Sequence, residues 1–196
     1  MKRLFASSFA RDAALLVVCN GVAGLLFMAV HAVAGRMMRG EDYSALFALL
    51  GLTWITLVPS SALQIAVARY AAEYCHTSET DLWTRLFRSV IRLVTRWGLP
   101  LLVLWCAAAP WVVPALNAVS APAYMLVGVI GFISLYSPVV NGALQGARRF
   151  GWMAAAGMAP AVIRILLVAA ICAIGGRVSA VLGGFAVSVV AGIVAG

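Results

Sequence analysis

The sequence predicts an all-α, polytopic membrane protein, and three properties support this class. Of the 196 residues, 64% are hydrophobic and only 10% are charged, and the mean hydropathy is +1.04. This balance exceeds what a soluble domain could hide from water. Long runs without a charged residue recur along the chain, and a helix needs about 20 apolar residues to cross a bilayer. Helices are expected because hydrocarbon offers no hydrogen bonds to an unpaired backbone.

Uncharged runs and the breaks between them predict six spans. The longest run, 97–147, is too long for one crossing and is interrupted by Pro110, Pro114 and Pro122, which favours a helical hairpin. The last predicted span reaches the final residue without a polar flank, so we expect the chain to be a fragment. The predicted spans, which together form one six-helix unit over residues 1–196, are 13–35, 45–68, 97–116, 122–144, 152–174 and 178–196.

The arginines and lysines predict the orientation of these spans. Ten of the 14 lie in the N-terminal flank, the loop 69–97 and the turn after the fourth helix, which would all be on one side. Basic flanks are retained in the cytoplasm, so we predict an inner-membrane protein with a cytoplasmic N-terminus. The net charge of +8 then reflects topology and contact with anionic membrane lipids, without a nucleic-acid partner.

The segment 78–96 has an amphipathic pattern of its own. Ser78 and Asp81 fit a capping box, and four arginines, at positions 85, 88, 92 and 96, lie opposite an apolar face of helical period. Two interpretations stay open at this point. The segment is either a separate helix on the cytoplasmic surface or, as we favour, an extension of the third span.

The residue types needed for catalysis or metal binding are not clustered. All six carboxylates lie in flanks or loops, the two histidines lie at opposite sides of the predicted membrane, and the four cysteines are scattered. We therefore predict no catalytic residues, no metal site and no cofactor, and a protein that is not an enzyme. His31 is expected to be an interfacial side chain rather than a ligand.

Five polar residues within the predicted spans or directly at their ends are the candidate site. Asn20, Gln64, Asn141 and Gln145 all fall in the cytoplasmic half, and Arg164 lies deeper, about 18 Å from the start of its helix. Each amide alone could be a hydrogen bond between helices. Four in one half predict a wet vestibule that opens to the cytoplasm.

Arg164 is the least expected of these residues, because an arginine at mid-membrane costs about 2.5–3.5 kcal/mol on insertion scales. Its side chain should lean toward the helix N-terminus and lie over Gly157, Pro160 and Ala161, which are small. A structural role remains possible, with the guanidinium bonded to carbonyls near Pro160 or extended to the interface. The alternative is a ligand-binding role in the vestibule.

The sixth predicted span carries a stripe of small residues at every fourth position. Such a stripe permits close approach of another helix, and we expect it to pack within this unit. Its members are Ala180, Gly184, Ser188, Gly192 and Gly196.

Three linking segments resemble polysaccharide and oligosaccharide-lipid flippases of the multidrug/oligosaccharidyl-lipid/polysaccharide superfamily. They are "GRMMRGEDYSALFALL", "ALQIAVARYAAEY" and "NGALQGARRFGWMA", and the resemblance covers nearly the whole chain. It implies twelve to fourteen helices in two lobes around a central cavity. This chain would be the N-terminal lobe, and a second lobe of six to eight helices would be its partner.

The resemblance implies a flippase that moves a polyprenyl-diphosphate-linked oligosaccharide across the inner membrane for cell-surface polysaccharide synthesis. The substrate-binding residues would be Arg164, Asn20, Gln64, Asn141 and Gln145, with the guanidinium holding the diphosphate in a bidentate way. Two alternatives remain, a non-transporting membrane scaffold or assembly subunit and a drug exporter of the same superfamily.

Overall fold

The computed structural model describes residues 2–53, 57–76, 80–116 and 119–196. Within these ranges the chain forms eight α-helices and no β-strand. The helices are α1 (Lys2–Met37), α2 (Gly40–Thr53), α3 (Leu57–His76), α4 (Thr80–Ala115), α5 (Ala121–Ser134), α6 (Ser137–Gly146), α7 (Phe150–Ala173) and α8 (Val178–Ala195).

Among the described residues, five helical stretches are long and apolar enough to cross a membrane. They correspond to the first, third, fourth, fifth and sixth predicted spans, which confirms the class of a polytopic helical membrane protein. The five stretches are Ala14–Met37, Thr84–Ala115, Ala121–Gly146, Phe150–Ala173 and Val178–Ala195.

The second predicted span, 45–68, is divided between two helices. The helix α2 covers its first part and α3 its second, and residues 54–56 lie outside the described ranges. Neither α2 nor α3 belongs to the five candidate spans. Pro59 falls in the first turn of α3, where a proline is tolerated because the first N–H groups of a helix have no intrahelical partner. A sixth crossing therefore stays a prediction.

The amphipathic segment is continuous with the third span. The helix α4 runs without interruption from Thr80 to Ala115, which confirms the extension and not a separate surface helix. Ser78 of the expected capping box lies outside the described residues.

The fourth predicted span is interrupted between α5 and α6. Pro138 cannot donate the hydrogen bond that would continue the ladder, and the N–H groups of Val139 and Val140 both donate to the carbonyl of Tyr136, at 3.1 and 3.2 Å. Ser137 thus begins a new helix. The break lies near the middle of the stretch Ala121–Gly146.

The helix α8 packs against α7 on one side and α5 on the other. On the α7 side, a Cβ atom built at Gly184 would lie 3.3 Å from Leu167, and one at Gly192 would lie 2.9 Å from the Pro160 ring. Ser188 is fully buried. The prediction that these small residues allow close packing within the unit is confirmed. Ala180 departs from it, because it is exposed.

A second close approach joins α3 and α6. A Cβ atom at Gly142 would lie 2.7 Å from the carbonyl oxygen of Gln64 and 2.9 Å from Cβ of Val67, and one at Gly146 would collide with Ala71. The pattern Gly142-x-x-x-Gly146 therefore forms the surface of α6 that meets α3. This pattern was not predicted from the sequence.

One end of the bundle, which we call the basic end, is defined by Arg69 on α3 and by Arg148 and Arg149 between α6 and α7. Arg148 has φ of 55°, and the N–H of Arg149 donates to the carbonyl of Leu144 at 2.9 Å. This is a Schellman turn with arginine at the position that usually holds glycine. It reverses the chain from α6 into α7 within three residues.

Candidate functional site: a polar cavity around Arg164

A partly open cavity of about 480 Å³ lies between the helices at the level of Arg164. Helices α1, α2, α3, α5, α6, α7 and α8 all contribute to its wall. Its polar lining residues are Thr53, Ser60, Ser61, Gln64, Ser134, Ser137, Asn141 and Arg164, and the apolar ones include Phe27, Ile130, Pro160 and Phe185. The cavity adjoins the break between α5 and α6 and the start of α3.

Contacts from α8 hold the guanidinium of Arg164 in place. Its Nε donates to the hydroxyl oxygen of Ser188 at 3.2 Å, and that hydroxyl donates to the carbonyl oxygen of Phe185 at 2.7 Å. The guanidinium carbon also lies 4.7 Å from the ring centre of Phe185 and 5.9 Å from that of Phe27. These rings can stabilise the cation by cation–π attraction.

All Asp and Glu residues lie outside the five candidate spans. The residues that line the cavity with Arg164 include no Asp or Glu, so its surroundings are neutral dipoles and aromatic rings. Because Nε is engaged by Ser188, the donors at the forked end of the guanidinium are those that a ligand in the cavity could use. These terminal N–H groups suit an anion that can accept two parallel hydrogen bonds through two of its oxygens.

The expected neighbours of Arg164 are present. Gly157, Pro160 and Ala161 line a smaller cavity of about 130 Å³ together with Arg164 and residues of α1. The expected structural partner is different, because the hydrogen bond goes to Ser188 and not to a carbonyl near Pro160. The side chain leans as its helix dictates, while its partner comes from a helix that follows later in the chain.

Two of the four amides predicted for the site share the cavity with Arg164, namely Gln64 from α3 and Asn141 from α6. Gln145 does not line it. It is exposed and accepts a hydrogen bond from Gln64 at 3.2 Å, facing a separate depression of about 500 Å³ that includes Arg69. Gln145 thus belongs to the basic end.

Asn20 lies on the exposed surface of α1. Its Oδ1 would be 3.8 Å from a Cβ built at Gly157, so it lies against α7 and not among the residues that line the cavity. Of the five residues predicted for the vestibule, three line this cavity, namely Gln64, Asn141 and Arg164. Their roles stay a prediction.

Several hydroxyl groups around the cavity were not predicted as site residues. Ser60, Ser61, Ser134 and Ser137 line it, and all four lie where a helix begins or ends. A sequence signal existed, because Ser60–Ser61 follow Pro59 and Ser137 precedes Pro138. A proline in a helix leaves one carbonyl without its hydrogen-bond donor. Hydroxyl side chains beside a proline in an apolar run therefore indicate a polar stretch of backbone.

His31 lies in an aromatic cluster, with ring centres 4.7 Å from Phe27 and 5.7 Å from Phe47. Among the described residues, no three His, Cys, Asp or Glu side chains are placed to hold a metal ion together.

The fold and the cavity define a polytopic helical membrane protein with a partly open, cationic polar site between its helices. Comparison with known proteins adds no family, because no family model, no curated protein and no solved structure matches the chain.

Proposed function

We propose that the chain is one lobe of an inner-membrane flippase that moves a polyprenyl-diphosphate-linked oligosaccharide from the cytoplasmic to the outer leaflet. The observation that carries this proposal is Arg164, which lies in a cavity lined by hydroxyl and amide groups inside an otherwise apolar bundle. Arginines within a membrane generally face a partner or a water-filled path and mark a functional site.

The chemistry of the lining favours a phosphorylated head group. A guanidinium binds phosphate oxygens through two parallel hydrogen bonds, and serine hydroxyls and the amides of Gln64 and Asn141 can bind further oxygens or sugar hydroxyls. A volume of about 480 Å³ is in the range of small-molecule sites, roughly 300–1,000 Å³. It would hold the diphosphate and the first sugar, so further sugars would need space contributed by a second lobe.

The six-helix lobe requires α2 and α3 to act together as the second crossing. The helix α2 packs against α5 and α3 packs against α6, so the two pairs run side by side in the same direction. Since Ala121–Gly146 is long enough to span a bilayer, α2 and α3 would cover the same thickness. With the N-terminus in the cytoplasm, both pairs would run from outside to inside, which agrees with the distribution of arginines.

Interrupted helices around a central site are a recurrent feature of secondary transporters. Here the cavity adjoins the start of α3 and the break between α5 and α6. Alternating access would then arise from movement of one lobe against the other around this site, without covalent chemistry.

A non-transporting scaffold is the alternative from a different class. In a scaffold, the polar groups would only join helices, as the Gln64–Gln145 hydrogen bond does at the basic end. A drug exporter of the same superfamily is a second alternative. It is less favoured because a cation-coupled exporter of this superfamily would be expected to carry an acidic residue within a span.

The test is replacement of Arg164 in the full-length protein in cells that depend on it for a surface glycan. We expect Arg164→Ala to abolish glycan export while membrane insertion stays near normal, and Arg164→Lys to restore export only in part, because an ammonium cannot form the bidentate contact. Arg177→Ala, which removes the exposed arginine that precedes α8, is the matched control and should export normally.

A labelling experiment separates a flippase from a scaffold. Single cysteines at Gln64 and Asn141, in a chain without its native cysteines, should react with a charged thiol reagent added from the cytoplasmic side. A cysteine at Leu182, which is fully buried in the core, should not react. Full export by Arg164→Ala would reject the binding role, and unreactive cysteines at both cavity positions would favour the scaffold.

A further inference from the structure

The arginines of α4 lie along one exposed face. Arg85, Arg88, Arg92 and Arg96 are all exposed, and their spacing of three or four residues places them on one side of the helix. We call this face the α4 arginine stripe. Continuing along the same side, Leu99 and Val103 are 51% and 62% exposed. One face of α4 is therefore basic in one half and apolar in the other.

The register of α4 against α5 determines the depth of the stripe. The hydroxyl of Thr95 is 2.8 Å from that of Tyr136, and a Cβ built at Gly98 would lie 2.9 Å from the ring of Phe132. Both contacts place Arg96, the last residue of the stripe, beside the break between α5 and α6.

That break is well inside the bundle. Tyr136 precedes Gly146, the last residue of α6, by ten residues, or about 15 Å of helix. Thr95 is level with Tyr136 and α4 runs antiparallel to α5 and α6, so Arg96 lies about 17 Å, Arg92 about 11 Å and Arg88 about 5 Å from the level where α6 ends. Most of the stripe thus runs alongside the bundle and does not project beyond it.

The side chains beside the stripe indicate what surrounds it. Leu93 and Trp97 follow Arg92 and Arg96 in the sequence and are 53% and 66% exposed. Exposed tryptophan next to arginine is typical of the boundary between hydrocarbon and head groups. Leucine and tryptophan at this depth are best covered by acyl chains, and the neighbouring guanidinium groups by phosphates.

We propose that the α4 arginine stripe binds the phosphate groups of anionic phospholipids and draws their head groups inward along this side of the bundle. Charge complementarity carries the choice of occupant, because Arg88, Arg92 and Arg96 have no carboxylate within one turn of them along α4. Each arginine near an anionic surface contributes about 1 kcal/mol, or roughly fivefold in affinity. Arginine is suited to this depth, since its long stem can extend toward the head groups. This proposal rests on the membrane class alone and is independent of the transported substrate.

Trp97 provides a direct probe. The purified chain is placed in phosphatidylcholine bilayers in which either phosphatidylglycerol or phosphatidylcholine carries brominated acyl chains, which quench tryptophan. The signal of Trp97 is taken as the difference from a Trp97→Phe variant. We expect phosphatidylglycerol to be preferred at least fivefold at low salt, and the preference to fall in high salt.

A variant with Arg88→Gln, Arg92→Gln and Arg96→Gln should show a ratio near one between the quenching of Trp97 by brominated phosphatidylglycerol and by brominated phosphatidylcholine. The matched control replaces Arg36, Arg39 and Arg177, which are exposed arginines of the opposite end, and should keep the full preference. Arg96→Gln alone, which keeps three of the four charges, should reduce it by two- to fivefold. If the triple variant folds poorly, Arg96→Gln alone still tests whether the stripe binds anionic lipid.

Free phosphate is the competing source of the same chemistry. Inorganic phosphate should reduce the preference no more than chloride of equal ionic strength does, because the acyl chains hold the lipid phosphate at the stripe. Equal quenching by the two brominated lipids in the parent chain would overturn the proposal. So would an unchanged preference in a folded triple variant.

Discussion

Gly142→Ala tests whether α3 and α6 depend on a contact between backbones. The added methyl group would lie 2.7 Å from the carbonyl oxygen of Gln64 and 2.9 Å from Cβ of Val67. The closer of these is about 0.8 Å inside an ordinary contact of roughly 3.5 Å. The carbonyl and a Cβ atom cannot rotate away as the tip of a long side chain could, so α3 must shift as a whole.

The cost follows from overpacking, which typically destabilises a core by about 1–3 kcal/mol. Gly183→Ala is the matched control, because nothing lies within 4 Å of a Cβ at that helical position. There the substitution should stabilise the chain by about 0.5–1 kcal/mol, since alanine loses less backbone entropy than glycine. The two variants should therefore differ by about 1.5–4 kcal/mol, or roughly ten- to several-hundred-fold in the folded-to-unfolded ratio.

The assay is unfolding in mixed micelles with a rising fraction of denaturing detergent, followed by far-ultraviolet circular dichroism. We expect the midpoint of Gly142→Ala to fall below that of the parent and the midpoint of Gly183→Ala to rise above it. A Gly142→Ala chain as stable as Gly183→Ala would refute the close packing of α3 on α6.

Two further predictions concern single positions. Arg148→Gly should stabilise the chain by about 1 kcal/mol in the same assay, because the left-handed conformation at φ of 55° costs an arginine about 1–2 kcal/mol; an unchanged midpoint would argue against the Schellman turn. Tyr136→Phe should destabilise it by about 0.5–1.5 kcal/mol through loss of the 2.8 Å hydrogen bond with Thr95. Thr95→Val should cost a similar amount, and the double variant should cost less than the sum, whereas full additivity would contradict the contact.

The helices could be predicted from the sequence because the bilayer imposes a simple rule on length and polarity. The start of the fifth and sixth spans was predicted to within two residues, as α7 begins at Phe150 and α8 at Val178. The division of 45–68 and the break at Tyr136 were harder to foresee. Proline in an apolar run is compatible with a continuous helix, and Pro160 lies inside α7 without interrupting it, so proline alone does not locate a break.

The site was predictable only where it depends on one helix. Arg164 lies beside Gly157 and Pro160 because a helical side chain leans over the preceding turn. Its hydrogen bond to Ser188 depends on how α8 is rotated against α7, which no property of either segment determines alone. For the same reason, Gln64 faces the cavity while Gln145 faces the basic end, although both were placed at similar depth.

The break at Tyr136 also affects the cavity through the main chain. In a continuous helix the carbonyl of Ser134 would accept a hydrogen bond from residue 138, but Pro138 has no N–H to donate. Ser134 and Pro138 both line the cavity, so a main-chain acceptor without its helical donor belongs to a residue of the wall. Replacing every polar side chain around Arg164 would leave that acceptor in place. The polarity of the wall is thus partly encoded by an imino acid, which is itself apolar.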